Sequence, residues 1–151
     1  TGDPSFFSGF FEVGYFLTGE TRGYKNGTWD RTKVLHPLNK GGSGAFQLVG
    51  RFDYLDLDSD KIKNGLTNNF ANGTTTLAST NTRLGRGGKQ TGYLFGVTWI
   101  PVDYVRFLAN YIHTEVEGGP LAATVKPLST APVDQRKYST DAFAIRASID
   151  F

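Results

Sequence analysis

DAFAIRASIDF, at residues 141–151, carries an apolar side chain at every second position. Because successive side chains of a β-strand point to opposite sides, this pattern gives an extended chain one apolar and one polar face. The apolar face consists of Phe143, Ile145, Ala147, Ile149 and Phe151, and the other face of Ala144, Arg146, Ser148 and Asp150. Such a strand lies between water and either lipid or a protein core. The strands of outer-membrane β-barrels alternate in this way, with apolar side chains outward.

The same alternation recurs in four other segments, at 5–18, 44–58, 91–100 and 105–116. Their predicted polar faces include Glu12, Gln47, Arg51, Asp53, Thr98 and Arg106. The first segment is longer than the average strand of about five or six residues. Its length suits a tilted membrane span of roughly 9–11 residues with a rim beyond it. We therefore predict an all-β fold, a transmembrane antiparallel β-barrel, and no helix.

The composition excludes several classes of protein. The 151 residues include no cysteine, so a disulfide framework and zinc-thiolate sites are excluded. The formal net charge of +2 is too small to indicate nucleic-acid binding. No run of about eighteen apolar residues is present, which argues against a transmembrane helix but not against a barrel, whose strands are half polar. The chain has no basic and apolar leader, and we expect it to be part of a longer protein.

The lengths of the connections predict a direction for each strand. A tight turn is predicted at 101–104, whereas 59–90 and 117–140 are long and polar. Long structureless segments are uncommon inside compact soluble domains but ordinary in the outer loops of barrels. Because bacterial barrels place short turns on the periplasmic side, we expect the turn in the periplasm and both long segments outside.

Aromatic residues provide a second test, because membrane barrels carry aromatic girdles at both interfaces. The predicted outer girdle consists of Phe7, Tyr54, Tyr93, Tyr111 and Phe143. The predicted periplasmic girdle consists of Tyr15, Phe46, Trp99, Phe107 and Phe151. Every predicted strand thus supplies one aromatic residue at each end, which a soluble sandwich has no reason to do.

Segment 19–43 is placed in the periplasm by the same alternation, although it is about as long as the outer loops. Between residues 21 and 40 it carries Arg22, Lys25, Arg31, Lys33 and Lys40 against the single acid Asp30. Two locations are compatible with this segment. It either extends into the periplasm as a solvated loop, or folds into the pore, where its bases would contact anions.

Three arginines are predicted to face the lumen, Arg51, Arg106 and Arg146. The guanidinium group suits phosphate, because it is planar, always charged and able to donate two parallel hydrogen bonds. The same faces carry the acids Glu12, Asp53 and Asp150. Pairs such as Arg51–Asp53 and Arg146–Asp150 could therefore simply neutralise the wall, and both interpretations remain open at this point.

Several stretches together resemble the C-terminal part of the phosphate-selective porin O/P family. They are YFLTGE at 15–20, YLDL at 54–57, GKQ at 88–90, VRFLANY at 105–111 and DF at 150–151. The resemblance implies a sixteen-stranded barrel, usually a homotrimer in the bacterial outer membrane, that passes phosphate or polyphosphate along arginines and lysines. Residues 1–151 would then hold the last five strands of a single barrel domain. The remaining strands of that barrel and the surrounding lipid and lipopolysaccharide would be their partners.

No enzyme, cofactor or metal site is predicted. Asp56–Asp60 begins like a calcium loop, but Lys61 occupies the position of the turn glycine and Thr67 that of the bidentate glutamate. His36 and His113 have no nucleophile or carboxylate constellation around them in the sequence. The predicted function is a passive, anion-preferring channel. A general porin for small polar solutes and a soluble β-barrel or sandwich binding module are the alternatives.

Overall fold

The computed structural model describes residues 3–62, 66–71, 74–79, 87–126, 129, 131 and 135–150. The strands are β1 (Phe7–Phe16), β2 (Tyr24–Lys25), β3 (Thr28–Trp29), β4 (Ala45–Asp56), β5 (Leu66–Ala71), β6 (Thr74–Ser79), β7 (Gly88–Val102), β8 (Val105–Gly118) and β9 (Lys137–Ile149). A six-residue helix, α1 (Pro120–Val125), and a 3-10 turn at Leu38–Lys40 complete the described elements.

Five strands form one antiparallel sheet in the order β1-β4-β7-β8-β9. The strands β1 and β9 are the edges of this sheet, which is not closed into a barrel. Two separate hairpins, β2–β3 and β5–β6, lie in the connections that flank β4. The prediction of an all-β antiparallel fold is confirmed, since alternating side chains determine the sheet.

All five predicted strands are present, with different ends. The segment predicted at 91–100 begins earlier, as β7, because its polar first residues join the sheet through backbone groups. The carbonyl of Gly88 accepts a hydrogen bond of 3.0 Å from the N–H of Leu57. Phe151, predicted to end the last strand, lies outside the described residues.

Both long connections contain regular structure that alternation did not predict. The connection predicted as structureless at 59–90 contains the β5–β6 hairpin, whose register pairs Leu66 with Ser79. The connection at 117–140 contains α1, which begins at Pro120. Proline suits the first turn of a helix, because the N–H it lacks would have no partner there. The expectation that the chain has no helix is therefore wrong for these six residues.

Two compact units divide the chain. The loop unit comprises Thr1–Phe11, Phe52–Gly92 and His113–Thr140, and the turn unit comprises Glu12–Arg51, Tyr93–Ile112 and Asp141–Phe151. Among the described residues, no helix is both long and apolar enough to cross a membrane.

In the loop unit, Arg136 organises the connection between β8 and β9. Its side chain is only 1% exposed, and each nitrogen of its guanidinium group donates to a backbone carbonyl. The Nε donates to Ala131 at 2.9 Å, and the two terminal nitrogens to Lys126 and Ser129 at 3.0 Å each. A buried charge is costly unless it is hydrogen-bonded in this way. The arginine therefore holds three parts of the connection together.

In the turn unit, segment 19–43 packs against residues of the sheet and of the β7–β8 turn. Val34 belongs to a small core with Ala45 and Ile100, against which Phe16 packs. The N–H of Val34 donates to Oδ1 of Asp103 at 2.9 Å, and the N–H of Leu35 donates to the buried Glu20 at 3.3 Å. These contacts between distant residues give the segment a defined position within its unit.

Aromatic rings of neighbouring strands contact one another where girdles are predicted. In the turn unit, the Trp99 ring stacks on Phe46, with centroids 6.2 Å apart, and on Phe107 at 5.5 Å. In the loop unit, the rings of Phe7 and Tyr54 lie 6.1 Å apart. Rings predicted for one girdle are thus neighbours in space, although the membrane position of the girdles stays a prediction.

Candidate functional site

Three of the eight predicted basic residues line a single cavity in the turn unit. The cavity has a volume of about 440 Å³ and is lined by Arg22, Trp29, Asp30, Arg31, Arg106 and Asp150. Arg22 and Arg31 come from segment 19–43, whereas Arg106 lies on β8 and Asp150 directly follows β9. The folding of the segment therefore brings two of its bases to an arginine of the sheet.

A second cavity of the turn unit shares part of this lining. It has a volume of about 760 Å³ and also contains Arg22, Trp29 and Arg106. Its wall includes four residues predicted on the polar faces of β1, β4, β7 and β8, namely Glu12, Gln47, Thr98 and Arg106. A shared cavity is expected for side chains on one side of the sheet, although Tyr15, predicted on the opposite face, lines it as well.

Aromatic rings hold the two arginines of the segment. The guanidinium carbon of Arg22 lies 5.8 Å from the centre of the Trp29 ring, and that of Arg31 lies 4.6 Å from the centre of the Tyr104 ring. The Tyr24 ring meets Trp29 edge-on at 5.1 Å. An aromatic ring attracts a guanidinium group through its π face. The N–H groups at the edge of the guanidinium plane do not donate to the ring. The donors of both arginines therefore stay available to an anion.

Arg106 contributes the third positive charge from the sheet itself. Its Nε is buried and has no hydrogen-bond partner, and no other buried side-chain nitrogen or oxygen of the described residues lacks one. A buried donor without a partner is costly, and an anion in the cavity would supply an acceptor. The lining contains three arginines against Asp30 and Asp150, which leaves a positive balance.

The other five predicted bases lie elsewhere. Lys25, Lys33, Lys40 and Arg146 are exposed, and none lines either of these cavities. Arg51, on β4, lies 3.7 Å from the carboxylate of Glu12. That distance agrees with the alternative in which some lumen arginines are paired with acids, and the pairing of Arg51 with Asp53 stays a prediction.

Sequence reasoning missed the residues that position these arginines. Tyr104 was assigned only to the tight turn, and Trp29 only to a basic segment. A signal for Trp29 was present, because Asn26-Gly27 is the dipeptide preferred in two-residue hairpin turns. The backbone has φ of 52° at Asn26 and 80° at Gly27, and the turn pairs Tyr24 with Trp29. For Tyr104 the sequence contains no corresponding signal.

The loop unit arranges its charges in pairs. Lys89 lies 3.5 Å from Asp56, and Lys137 lies 3.0 Å from Glu117. Both Asp56, the last residue of β4, and Lys89, the second of β7, lie beyond the roughly 9–11 residues expected to cross a membrane. The N–H of Asp58, and then Lys89, hold the pKa of Asp56 below its usual range, despite some desolvation.

No metal site emerges where the structure gives side-chain positions, since no three histidine, cysteine, aspartate or glutamate residues lie close enough there to hold an ion. Asp56 instead accepts a hydrogen bond of 2.9 Å from the N–H of Asp58. Such local bonding is typical of a turn that an aspartate begins.

Comparison with known proteins identifies the family. The profile described as "Phosphate-selective porin O and P" matches residues 1–151, which is the whole chain. The chain belongs to this porin family. The resemblance noted in the sequence is thereby confirmed.

One relative of the porin comes from Caulobacter vibrioides and is described as "Uncharacterized protein". It is 36% identical over 148 residues, which cover 98% of this chain and 24% of the relative. The chain thus spans about a quarter of the length of that relative. No solved structure matches the chain.

Membership of a porin family suggests a channel rather than an enzyme, and a location in the outer membrane. The all-β sheet is consistent with that location.

Proposed function

We propose that this porin forms a passive, anion-preferring channel for phosphate or polyphosphate in the bacterial outer membrane. The observation that carries the proposal is the convergence of Arg22, Arg31 and Arg106 on one cavity. Fixed positive groups that face water beside a low-dielectric wall raise the local concentration of anions. Guanidinium groups also fit the tetrahedral oxygens of phosphate through paired hydrogen bonds.

Segment 19–43 acts in this proposal as part of the pore lining. Its Arg22 lines a cavity together with Glu12, Gln47 and Thr98, which come from three strands. This shared lining supports a segment that folds into the pore over one that extends into the periplasm. A segment so placed would narrow the pathway and expose each passing solute to its bases.

Passage requires binding that is strong enough to attract the anion and weak enough to release it. The three arginines would replace part of the hydration shell of a phosphate group. Asp30 and Asp150, in the same lining, would limit the depth of that binding. Movement follows the concentration gradient, and the protein supplies only the favourable pathway.

The wider architecture belongs to the same proposal. The strands β1, β4, β7, β8 and β9 are the last five of a sixteen-stranded barrel that assembles as a homotrimer, as the family resemblance implies. The edge strands would pair with further strands of the same barrel. Exposed apolar side chains of β9, such as Phe143, Ile145 and Ile149, would face lipid and lipopolysaccharide.

A general porin for small polar solutes is the second candidate. The observation that favours it is the pairing of Arg51 with Glu12 at 3.7 Å, together with the two acids in the arginine cavity. If acids neutralise the wall throughout, the channel would admit cations and anions alike.

Ion selectivity of the full-length protein in planar bilayers distinguishes the two candidates. The triple variant Arg22→Gln, Arg31→Gln, Arg106→Gln is expected to lower the anion-to-cation permeability ratio roughly tenfold, which corresponds to about 1.4 kcal/mol for the passing ion. The ratio is obtained from the reversal potential across a salt gradient.

The matched control is Lys25→Gln, Lys33→Gln, Lys40→Gln, which removes three charges whose side chains line neither cavity. It should leave most of the anion preference intact. If the control lowers the ratio as much as the arginine variant, or if the arginine variant leaves it unchanged, the proposed role of the cavity is wrong.

A further inference from the structure

The two cavities of the turn unit differ in chemistry although they share Arg22, Trp29 and Arg106. The smaller one adds only charged residues to these three, Asp30, Arg31 and Asp150. The larger one adds apolar side chains, among them Phe16, Val49, Ile100 and Leu108. A charged compartment and a partly apolar compartment therefore meet at the ring of Trp29.

Inorganic phosphate gains from the arginines but not from the apolar side chains of the larger cavity. It is small and polar on every side, and it gains nothing from an indole face or from aliphatic side chains. Sites for organic molecules combine an apolar wall with a few polar groups that fix orientation, in cavities of about 300–1,000 Å³. Volumes of about 440 and 760 Å³ in the turn unit fall in this range.

Trp29 is held in place but not covered. Its side chain is 65% exposed, while the β2–β3 hairpin fixes its backbone opposite Tyr24. An aromatic ring that is both rigid and exposed provides a large contact area at little cost in conformational entropy. Arg22 lies over the same ring, so an anion and a flat group could be held side by side.

We propose that this site prefers phosphomonoesters whose organic part carries a flat ring, an inference that rests on the proposed function and names its solute class. The phosphate group is held by Arg22, Arg31 and Arg106. The ring lies against Trp29 and the aliphatic side chains of the larger cavity, such as Val49. No bond forms or breaks, and the solute leaves as it entered.

Block of the chloride current through the full-length protein in planar bilayers tests this preference. The probes are inorganic phosphate, phenyl phosphate and phenol. Phenyl phosphate should block at a concentration about tenfold lower than inorganic phosphate, since stacking on an aromatic side chain has an effect of roughly this size. Phenol, which has the ring but no charge, should not block at these concentrations.

Two variants test the apolar half of the site, and Val49→Thr separates it from the charged half, because Trp29 also holds Arg22. In Trp29→Ala, phenyl phosphate should no longer block at a tenfold lower concentration than inorganic phosphate. Val49→Thr preserves the shape of the side chain, and it should weaken block by phenyl phosphate about twofold to threefold. Block by inorganic phosphate should stay unchanged in Val49→Thr. The control Phe95→Ala removes an exposed ring that lines neither cavity and should change nothing.

The outcomes separate this inference from the proposed function. If inorganic phosphate blocks the anion-preferring channel and phenyl phosphate blocks no better, the preference for a ring is wrong while the function stands. The inference is also overturned if Val49→Thr weakens both phosphates equally. If neither phosphate blocks and the reversal potential shows no anion preference, the proposed function itself fails.

Discussion

Positive side chains have different partners in the two units of this porin. In the loop unit, Lys89 and Lys137 lie beside the carboxylates of Asp56 and Glu117. In the turn unit, Arg22 and Arg31 lie over the rings of Trp29 and Tyr104. Both arrangements stabilise a cation, but they leave it in different chemical states.

A carboxylate cancels the charge of its partner and occupies its hydrogen-bond donors, whereas a ring does neither. A base beside an acid is therefore poorly suited to attract an anion, and a base over a ring keeps that capacity. Arg51 is an exception within the turn unit, because it lies beside Glu12. The partners of the bases, more than their number, distinguish a candidate anion pathway from a neutralised wall.

The largest effect is expected for Arg136→Met in the loop unit. The change leaves three backbone carbonyls without their donor, and should lower the free energy of unfolding by about 3–5 kcal/mol. Urea unfolding of the full-length protein measures this loss. The control Lys137→Met removes a neighbouring charge that is exposed, where ion pairs contribute at most about 1 kcal/mol.

Ion selectivity should not change in Arg136→Met, because this arginine donates to backbone carbonyls and lines no arginine cavity. If the reversal potential shifts as far as in the triple arginine variant, the distinction drawn between the bases of the two units is wrong. Such a shift would mean that a buried base of the loop unit also controls the passage of anions.

A smaller effect, on ion selectivity, is expected for Glu12→Gln, which removes the acid that lies beside Arg51. Without the carboxylate, Arg51 loses the negative charge that lies 3.7 Å away, and the anion-to-cation permeability ratio should rise about twofold, in line with the small energy of a partly exposed pair. Reversal potentials measure the change, with Glu117→Gln in the loop unit as the matched control. An unchanged permeability ratio in Glu12→Gln would show that the Glu12 carboxylate does not weaken the attraction of anions by Arg51.

The smallest effect concerns acid titration of Asp56. Since its pKa is lowered in the folded chain, its stabilising contacts are complete above the ordinary aspartate pKa and are lost as pH falls through the lowered one. Lys89→Gln should raise the pKa part of the way, because the N–H of Asp58 remains. The carboxyl carbon shift of Asp56, followed by NMR into acidic pH, reports the change. A pKa that falls in this variant would contradict the assigned cause.

Alternation was sufficient to predict the five sheet strands, because side chains of period two leave a direct mark on the sequence. It was insufficient for their ends. Gly88, Lys89 and Gln90 carry no apolar signal, yet they begin β7 through backbone hydrogen bonds. Every residue except proline carries the same backbone N–H and carbonyl groups, so their pairing cannot be read from side-chain type.

The candidate site was predicted only in part, for a related reason. Arg22, Arg31 and Arg106 were each named, but the grouping of these three depends on bonds between distant residues. The N–H of Val34, for example, donates to Asp103, 69 positions away. Arg136 gave no signal at all, because a buried arginine and a solvated one look alike in a sequence.

The Asn26-Gly27 turn has a consequence for speed. Both residues have positive φ, the geometry that matches the natural twist of a two-residue hairpin. In the proposed site the hairpin is therefore already formed before a solute binds, and Trp29 need not be ordered by it. Contacts that require no rearrangement can form at a rate closer to the diffusion limit. In the proposed pathway, a preformed turn thus lets a solute associate without a prior ordering step at Trp29.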